Sequence, residues 1–158
     1  MNKVELDALD LRLLSALQAD GRLTNGELAE KVGLSQSQCS RRRTSLEKSG
    51  IISGYAAILD GPRVGLTITA FVEVTLHSHS DSRAKRFNTL IDQMDEVQEA
   101  YALTGDTDYV LKLTVQDLEA LAETLNRKLL AHDSVARIRS SIVLERLKAT
   151  TTLPLRAN

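Results

Sequence analysis

Apolar side chains recur first at helical spacing and then, from Leu66 onward, in strict alternation. The first regime predicts three short helices. Asp7 caps a helix carrying Leu9, Leu13, Leu14, Ala16 and Leu17, and Gly21 ends it. Thr24 and Glu27 form a capping box, each side chain satisfying an orphan N–H at a helix start, ahead of Leu28, Ala29 and Val32. That second helix stops at Gly33, and Leu34 occupies the turn. Ser35 and Gln38 repeat the capping-box pattern and open a third helix running to Gly50. Two capped helices around a short glycine turn give the helix-turn-helix layout. Residues 51–59 read as extended, a short strand or wing leading out.

In the second regime, Leu66, Ile68, Ala70, Val72, Val74 and Leu76 hold alternate positions, as in a half-buried strand. A helix follows with Ala84, Phe87, Ile91 and Met94. Val97–Thr104 and Tyr109–Val115 then flank Gly105-Asp106-Thr107-Asp108 as a hairpin. Leu118, Leu121, Ala122, Leu125 and Leu129 stripe another helix, and Val135–Leu147 reads as a last long strand. The order β-α-β-β-α-β makes a ferredoxin-like sheet with both helices on one face. The fold class is therefore α+β, a winged helix-turn-helix over 1–60 and a ferredoxin-like βαββαβ domain over 61–158. Asp60-Gly61-Pro62 marks the turn in a linker spanning 56–65. Phe71 and the threonines of the first strand face away from the helices, and the last strand carries Ile138, Ile142 and Leu144 in one register and Val143 and Leu147 in the other. A sheet covered by one helix layer with apolar groups on both faces predicts packing against a second copy.

Composition narrows the classes. The 158 residues are 42% apolar, enough for a core, yet only 3% aromatic with no Trp, so that core is aliphatic. A single cysteine, Cys39, precludes an internal disulfide or a cysteine-based zinc site and suits a cytoplasmic location. No apolar run approaches the roughly 20 residues of a membrane span, and the first residues lack a signal-peptide pattern. Twenty basic and 21 acidic residues give a net charge of −1, which excludes a bulk-basic coat but not a local patch.

The third helix supplies such a patch. With Cys39, Arg42 or Arg43, and Leu46 toward the core, Gln36, Ser37, Ser40, Arg41, Thr44, Ser45 and Lys48 lie toward solvent. Small polar residues let the helix approach DNA closely. A Gln can read adenine, an Arg fork can read guanine, and the other groups can hold phosphates. The plain alternative is a solvated basic helix end, since cations are favoured there; the capped helix and glycine turn in front favour DNA. Expected DNA-binding residues are Ser35, Gln36, Ser37, Gln38, Ser40, Arg41, Arg42, Arg43, Ser45 and Lys48.

The sequence resembles the Lrp/AsnC (feast/famine) transcription regulators in several places in the family's order. These are Leu6-Asp7…Asp10…Leu14-Ser15-Ala16-Leu17-Gln18-Ala19-Asp20-Gly21-Arg22, then Leu28 through Ser35, Arg42, Leu46-Glu47 and Gly50-Ile51-Ile52. Ala70 through Val74, Thr104-Gly105-Asp106 with Asp108-Tyr109, and Thr150 through Leu155 continue the match. The resemblance spans about residues 6–155. It implies a DNA-binding winged helix-turn-helix joined to a ferredoxin-like effector (RAM) domain. It further implies dimers that assemble into tetramers or octamers, and a small-molecule effector, typically an amino acid, with no other cofactor. Arg43 stands where the family has an apolar residue, and Thr44 and Ser45 where it has basic ones. Either Arg43 snorkels over the helix stem or the helix is slightly rotated. Thr107 replaces a common aromatic.

An amino-acid ligand needs a carboxylate for its ammonium and N–H or hydroxyl donors for its own carboxylate. Gly105 permits close backbone approach and Asp106 or Asp108 supplies charge, although Asp and Gly are also ordinary turn-formers. Expected effector residues are Tyr101, Thr104, Gly105, Asp106 and Asp108, with Thr150 and Thr152 reaching the rim from a neighbouring subunit. His77-Ser78-His79 offers two metal ligands and lacks a third, so no metal is expected, and Cys39 reads as a small apolar filler. Two other functions compete. One is an enzyme, since relatives on this fold decarboxylate tetrapyrroles, with Arg137, Arg139 and His77 as candidates; the other is an assembly or ligand-sensing module that does not bind DNA. The intact third helix speaks against the enzyme, and a gel shift separates the second alternative.

Overall fold

The structure, a computed structural model, describes residues 5–78 and 81–155. They divide into two compact units, residues 5–58 with 148–155, and residues 59–147.

In the first unit, α1 (Ala8–Ala19), α2 (Asn25–Val32) and α3 (Gln36–Lys48) each open on a reciprocal capping box at Asp7/Asp10, Thr24/Glu27 and Ser35/Gln38. Each box satisfies N–H groups that have no partner inside the helix. α1 ends on Asp20 rather than Gly21, and α2 closes on Gly33 at φ 74°, a left-handed conformation that glycine adopts without strain. α3 stops at Lys48, short of the expected Gly50. Leu13, Leu28 and Cys39 are fully buried among Leu14, Leu17, Leu23, Val32 and Leu46. Cys39 is thus a core filler, and burial raises its thiol pKa. The strand expected over 51–59 does not form, and residues 53–60 have no regular secondary structure and no ladder pairing.

The C-terminal segment corrects the expected boundary. Residues 148–155 belong to the first unit, not to a domain ending at 158. Leu155 packs against the helix-turn-helix core, and the Leu153 amide donates to Gln18 Oε1 at 2.6 Å. Gln18 Nε2 donates back to the Leu153 carbonyl at 3.3 Å. A side-chain amide satisfies both backbone groups of one residue, and an apolar side chain gains cover.

The second unit contains β1 (Ile68–Leu76), α4 (Asp81–Asp92), β2 (Val97–Ala102), β3 (Tyr109–Val115), α5 (Leu118–Glu123) and β4 (Val135–Ile142). The sheet order is β2-β3-β1-β4, antiparallel throughout, as the ferredoxin-like reading requires. Ala70, Val72, Val74 and Leu76 alternate inward and pack with Leu111, Leu113, Phe87, Leu121 and Leu129. α5 continues into a π-helical turn, Thr124–Leu129. Leu121, Leu125 and Leu129 are four apart and outrun a 3.6-residue turn; the wider i→i+5 turn brings Leu129 back to the core. β4 ends at Ile142, not at Leu147. Beyond it Leu144 and Leu147 are almost fully exposed, outside the sheet.

Among the described residues no helix is long and apolar enough to cross a membrane, and no three His, Cys, Asp or Glu side chains gather as metal ligands. His79 of the His77-Ser78-His79 motif lies outside the described residues.

Candidate nucleic-acid interface and effector rim

α3 presents two kinds of arginine. Cys39 and Leu46 seat it on the core, and Gln36, Ser37, Arg41, Thr44, Ser45 and Lys48 are exposed, with Ser40 half-buried. The caps consume part of the first turn. Gln38 Oε1 accepts from the Ser35 amide at 3.0 Å, Ser35 Oγ accepts from the Gln38 amide at 3.2 Å, and Ser37 Oγ lies 3.1 Å from Ser35 Oγ. Ser35 and Gln38 therefore hold the helix start, while the side chains of Gln36, Arg41 and Lys48 make no hydrogen bond or ion pair among the described residues.

Arg42 turns inward. Its Nη1 lies 2.7 Å from Asp10 Oδ1 and 2.8 Å from Asp7 Oδ2, bolting α3 to the start of α1. The Asp10 backbone amide, and then the Arg42 guanidinium, hold the Asp7 carboxyl below the usual aspartate range. A carboxyl depressed in the folded state stabilises the fold above its unfolded value, near 3.9 for Asp, and that contribution is lost as pH falls through the folded pKa. Asp7→Asn keeps a good cap but not the charge, so its melting temperature should fall less steeply with acid than the wild type's. Circular dichroism melts across an acid series check this; parallel curves would show that the pair adds no pH-dependent stability.

Arg43 neither projects freely nor rotates the helix off its core. Its Nε donates to Tyr55 Oη at 2.9 Å and to Glu47 Oε1 at 3.2 Å, and its Nη1 donates to the Leu23 carbonyl at 3.0 Å. The guanidinium carbon lies 4.7 Å from the centroid of the Tyr55 ring. Tyr55 gave no sequence signal; its partner comes from another element twelve residues away.

At the hairpin between β2 and β3, the Leu103 amide donates to the Asp108 carbonyl at 2.8 Å, and Gly105 takes φ 123°. Thr104, Gly105 and Asp106 are exposed. Asp108 is engaged in the fold. Its Oδ2 accepts from the Leu76 amide at 2.7 Å and its amide donates to the Val74 carbonyl at 3.1 Å, tying the hairpin to the end of β1. Tyr101 Oη donates to Glu99 Oε2 at 2.6 Å, and Glu99 Oε1 pairs with Lys112 Nζ at 2.5 Å. Lys112 and then Tyr101 hold the Glu99 carboxyl low, and Glu99 raises the Tyr101 hydroxyl. The ladder places Glu99, Lys112, Phe71 and Ser141 in one row across the sheet. The expected site did not include Glu99 or Lys112, whose pairing depends on the β2–β3 register. Thr150 and Thr152 sit on the segment of the first unit that returns to α1, with the Thr152 amide donating to Thr150 Oγ1 at 3.1 Å.

Comparison with known proteins agrees with this arrangement. Residues 6–53 match a model described as winged helix-turn-helix DNA-binding, and residues 69–153 match the Lrp/AsnC ligand binding domain. The leucine-responsive regulatory protein of Escherichia coli is 36% identical over 152 residues, covering 96% of this chain and 93% of that protein. A transcriptional regulator of Neisseria meningitidis solved in complex with L-Met superposes with a TM-score of 0.91 at 40% identity, covering 95% of this chain and 97% of that one. An AsnC family regulator from Agrobacterium tumefaciens superposes at 0.89 with 37% identity, covering 94% and 97%. These relatives are regulators, which resolves the enzymatic alternative. With its capped helix-turn-helix, ferredoxin-like sheet and matched ligand-binding domain, the chain belongs to the Lrp/AsnC family and is a DNA-binding transcriptional regulator, not an enzyme.

Proposed function

We propose that the chain regulates transcription in the cytoplasm as a homodimer or higher homo-oligomer whose hold on specific DNA responds to an amino acid. The observation that carries this reading is the division of labour on α3. Arg42 and Arg43 are engaged inside the unit, while Gln36, Ser37, Arg41 and Lys48 stand exposed along one helix. The first turn then reaches base edges through Gln36 and Ser37, and Arg41 and Lys48, flanked by Ser40 and Ser45, hold phosphates. Ser35, Gln38, Arg42 and Arg43 act by fixing the helix. A gel shift with the gene's own upstream region, with and without a pool of amino acids, tests it. A shift with no amino-acid effect rejects the response, and no shift at all leaves a ligand-sensing module.

The effector reading rests on the exposed hairpin turn. Relatives include a leucine-responsive protein and a regulator solved with L-Met, and here an amino acid fits the same chemistry. Asp106, exposed and outside the fold's hydrogen bonds, takes the ammonium in place of Asp108, which is occupied. Gly105 exposes backbone, Thr104 supplies a hydroxyl, Tyr101, whose hydroxyl proton goes to Glu99, lines the rim with its ring, and Thr150 and Thr152 of a neighbouring copy complete it. Because only the assembled state completes such a site, occupancy biases assembly. Asp106→Asn should therefore abolish the amino acid's effect and its calorimetric heat while leaving unliganded DNA binding intact. Wild-type affinity in this variant would return the turn to a purely structural part.

A further inference from the structure

α3 is thinly anchored by apolar contact. Of its 13 residues only Cys39 and Leu46 are buried, so its roll about its own axis depends on the polar groups at its flanks. Arg42 holds the side toward α1. The opposite flank meets the chain that leaves α3, and that stretch has no ladder hydrogen bonds of its own. Tyr55 supplies the contact. Its hydroxyl accepts from Arg43 Nε and donates to Glu47 Oε1, both at 2.9 Å, and so grips two α3 residues one turn apart. Its ring carries the Arg43 guanidinium on one side and lies so close to Gly21 that a Cβ there would come within 3.2 Å of ring carbon Cδ1. Arg43 extends the same joint to the Leu23 carbonyl, in the turn between α1 and α2.

We infer that Tyr55 is a positioning residue for DNA reading: through Arg43 and Glu47 it sets the roll at which α3 presents Gln36 and Ser37 to the bases. This inference rests on the reading of α3 as the recognition helix. Tyr55 is 46% exposed and the Arg43–Glu47 pair lies at the surface, so the joint adds little to overall stability. Geometry is different. Base-edge contacts are short and directional, and a small error in the helix's roll removes them while phosphate contacts, made to a diffuse charge, persist. The joint also connects α3 directly to the segment that leaves the unit, so a pull on that segment reaches the reading face through one side chain.

The test uses the full chain and two duplexes of equal length, the gene's own upstream region and a scrambled sequence. Tyr55→Phe keeps the ring against Gly21 and Arg43 and deletes only the two hydrogen bonds to charged groups. The preference for the upstream duplex should fall about tenfold, equivalent to about 1.4 kcal/mol. Affinity for the scrambled duplex and its salt slope should stay unchanged, and amide exchange across residues 40–46 of the free protein should quicken. Arg43→Met should reproduce the loss, and the double variant should add little to either single change, because both break one joint. An unchanged preference in Tyr55→Phe overturns the inference, as do additive losses. A reduced salt slope in Arg43→Met also overturns it, by placing Arg43 on a phosphate. If the wild type shows no preference between duplexes, the DNA-reading assignment fails by itself; amide exchange then decides the joint, faster exchange supporting it and unchanged exchange rejecting it.

Discussion

Phe71→Asp should convert the protein to a monomer and weaken specific DNA binding by about 10²–10⁴-fold, the range lost when two linked binding sites become separate ones. The ring is 46% exposed on the sheet face that carries no helices, in the row with Glu99, Lys112 and Ser141. That face is mixed, with Phe71 beside the Glu99–Lys112 pair and opposite-charge neighbours Glu73 and Arg139 in the next row. A second copy placed there covers the ring and keeps the ions paired. An aspartate in its place would be buried beside a lysine already paired with Glu99, and that cost falls on the dimer and not on either folded unit. Light scattering reads the mass and gel shift the affinity, with circular dichroism confirming unchanged helix content. A variant that stays dimeric would move the contact to the irregular segment over 51–59.

The second large effect concerns charge. Arg41→Ala with Lys48→Ala should weaken binding to every sequence alike and flatten its salt dependence by about 1.8 in log–log slope, about 0.9 for each phosphate contact removed. Both side chains are exposed and make no hydrogen bond or ion pair among the described residues, so the double variant should melt at the wild-type temperature. Gln36→Ala should act differently, altering which sequence is preferred while the slope stays put. An unchanged slope in the double variant would remove this helix from the interface.

Local signals were the readable ones. Asp7 reads as a cap without its Asp10 partner, while Thr24/Glu27 and Ser35/Gln38 read as boxes because both partners lie within one turn and fit the Ser/Thr-x-x-Glu/Gln pattern. The alternation of Ile68 through Leu76 gave its strand because each inward residue meets the same core. What could not be read depends on distance along the chain. Arg42 finds Asp10 across 32 residues and Leu153 finds Gln18 across 135, and no periodicity announces either. Arg43 looked anomalous because its partner, Tyr55, is an aromatic in an irregular stretch. Asp108 likewise meets the Leu76 amide across 32 residues, a structural partner that no local pattern announces. The apolar pattern runs past the end of β4 to Leu144 and Leu147, which have no neighbouring strand to pair with and stay exposed.

The returning tail has a consequence for how the protein is made. Because Leu155 and the Gln18–Leu153 pair complete the first unit, that unit is assembled from both ends of the described chain. During synthesis the three helices leave the ribosome first, but their last apolar contact waits until the whole ferredoxin-like unit has been translated. A nascent or truncated chain therefore carries an unfinished DNA-reading head, and its finishing piece arrives only after the ligand-binding half exists.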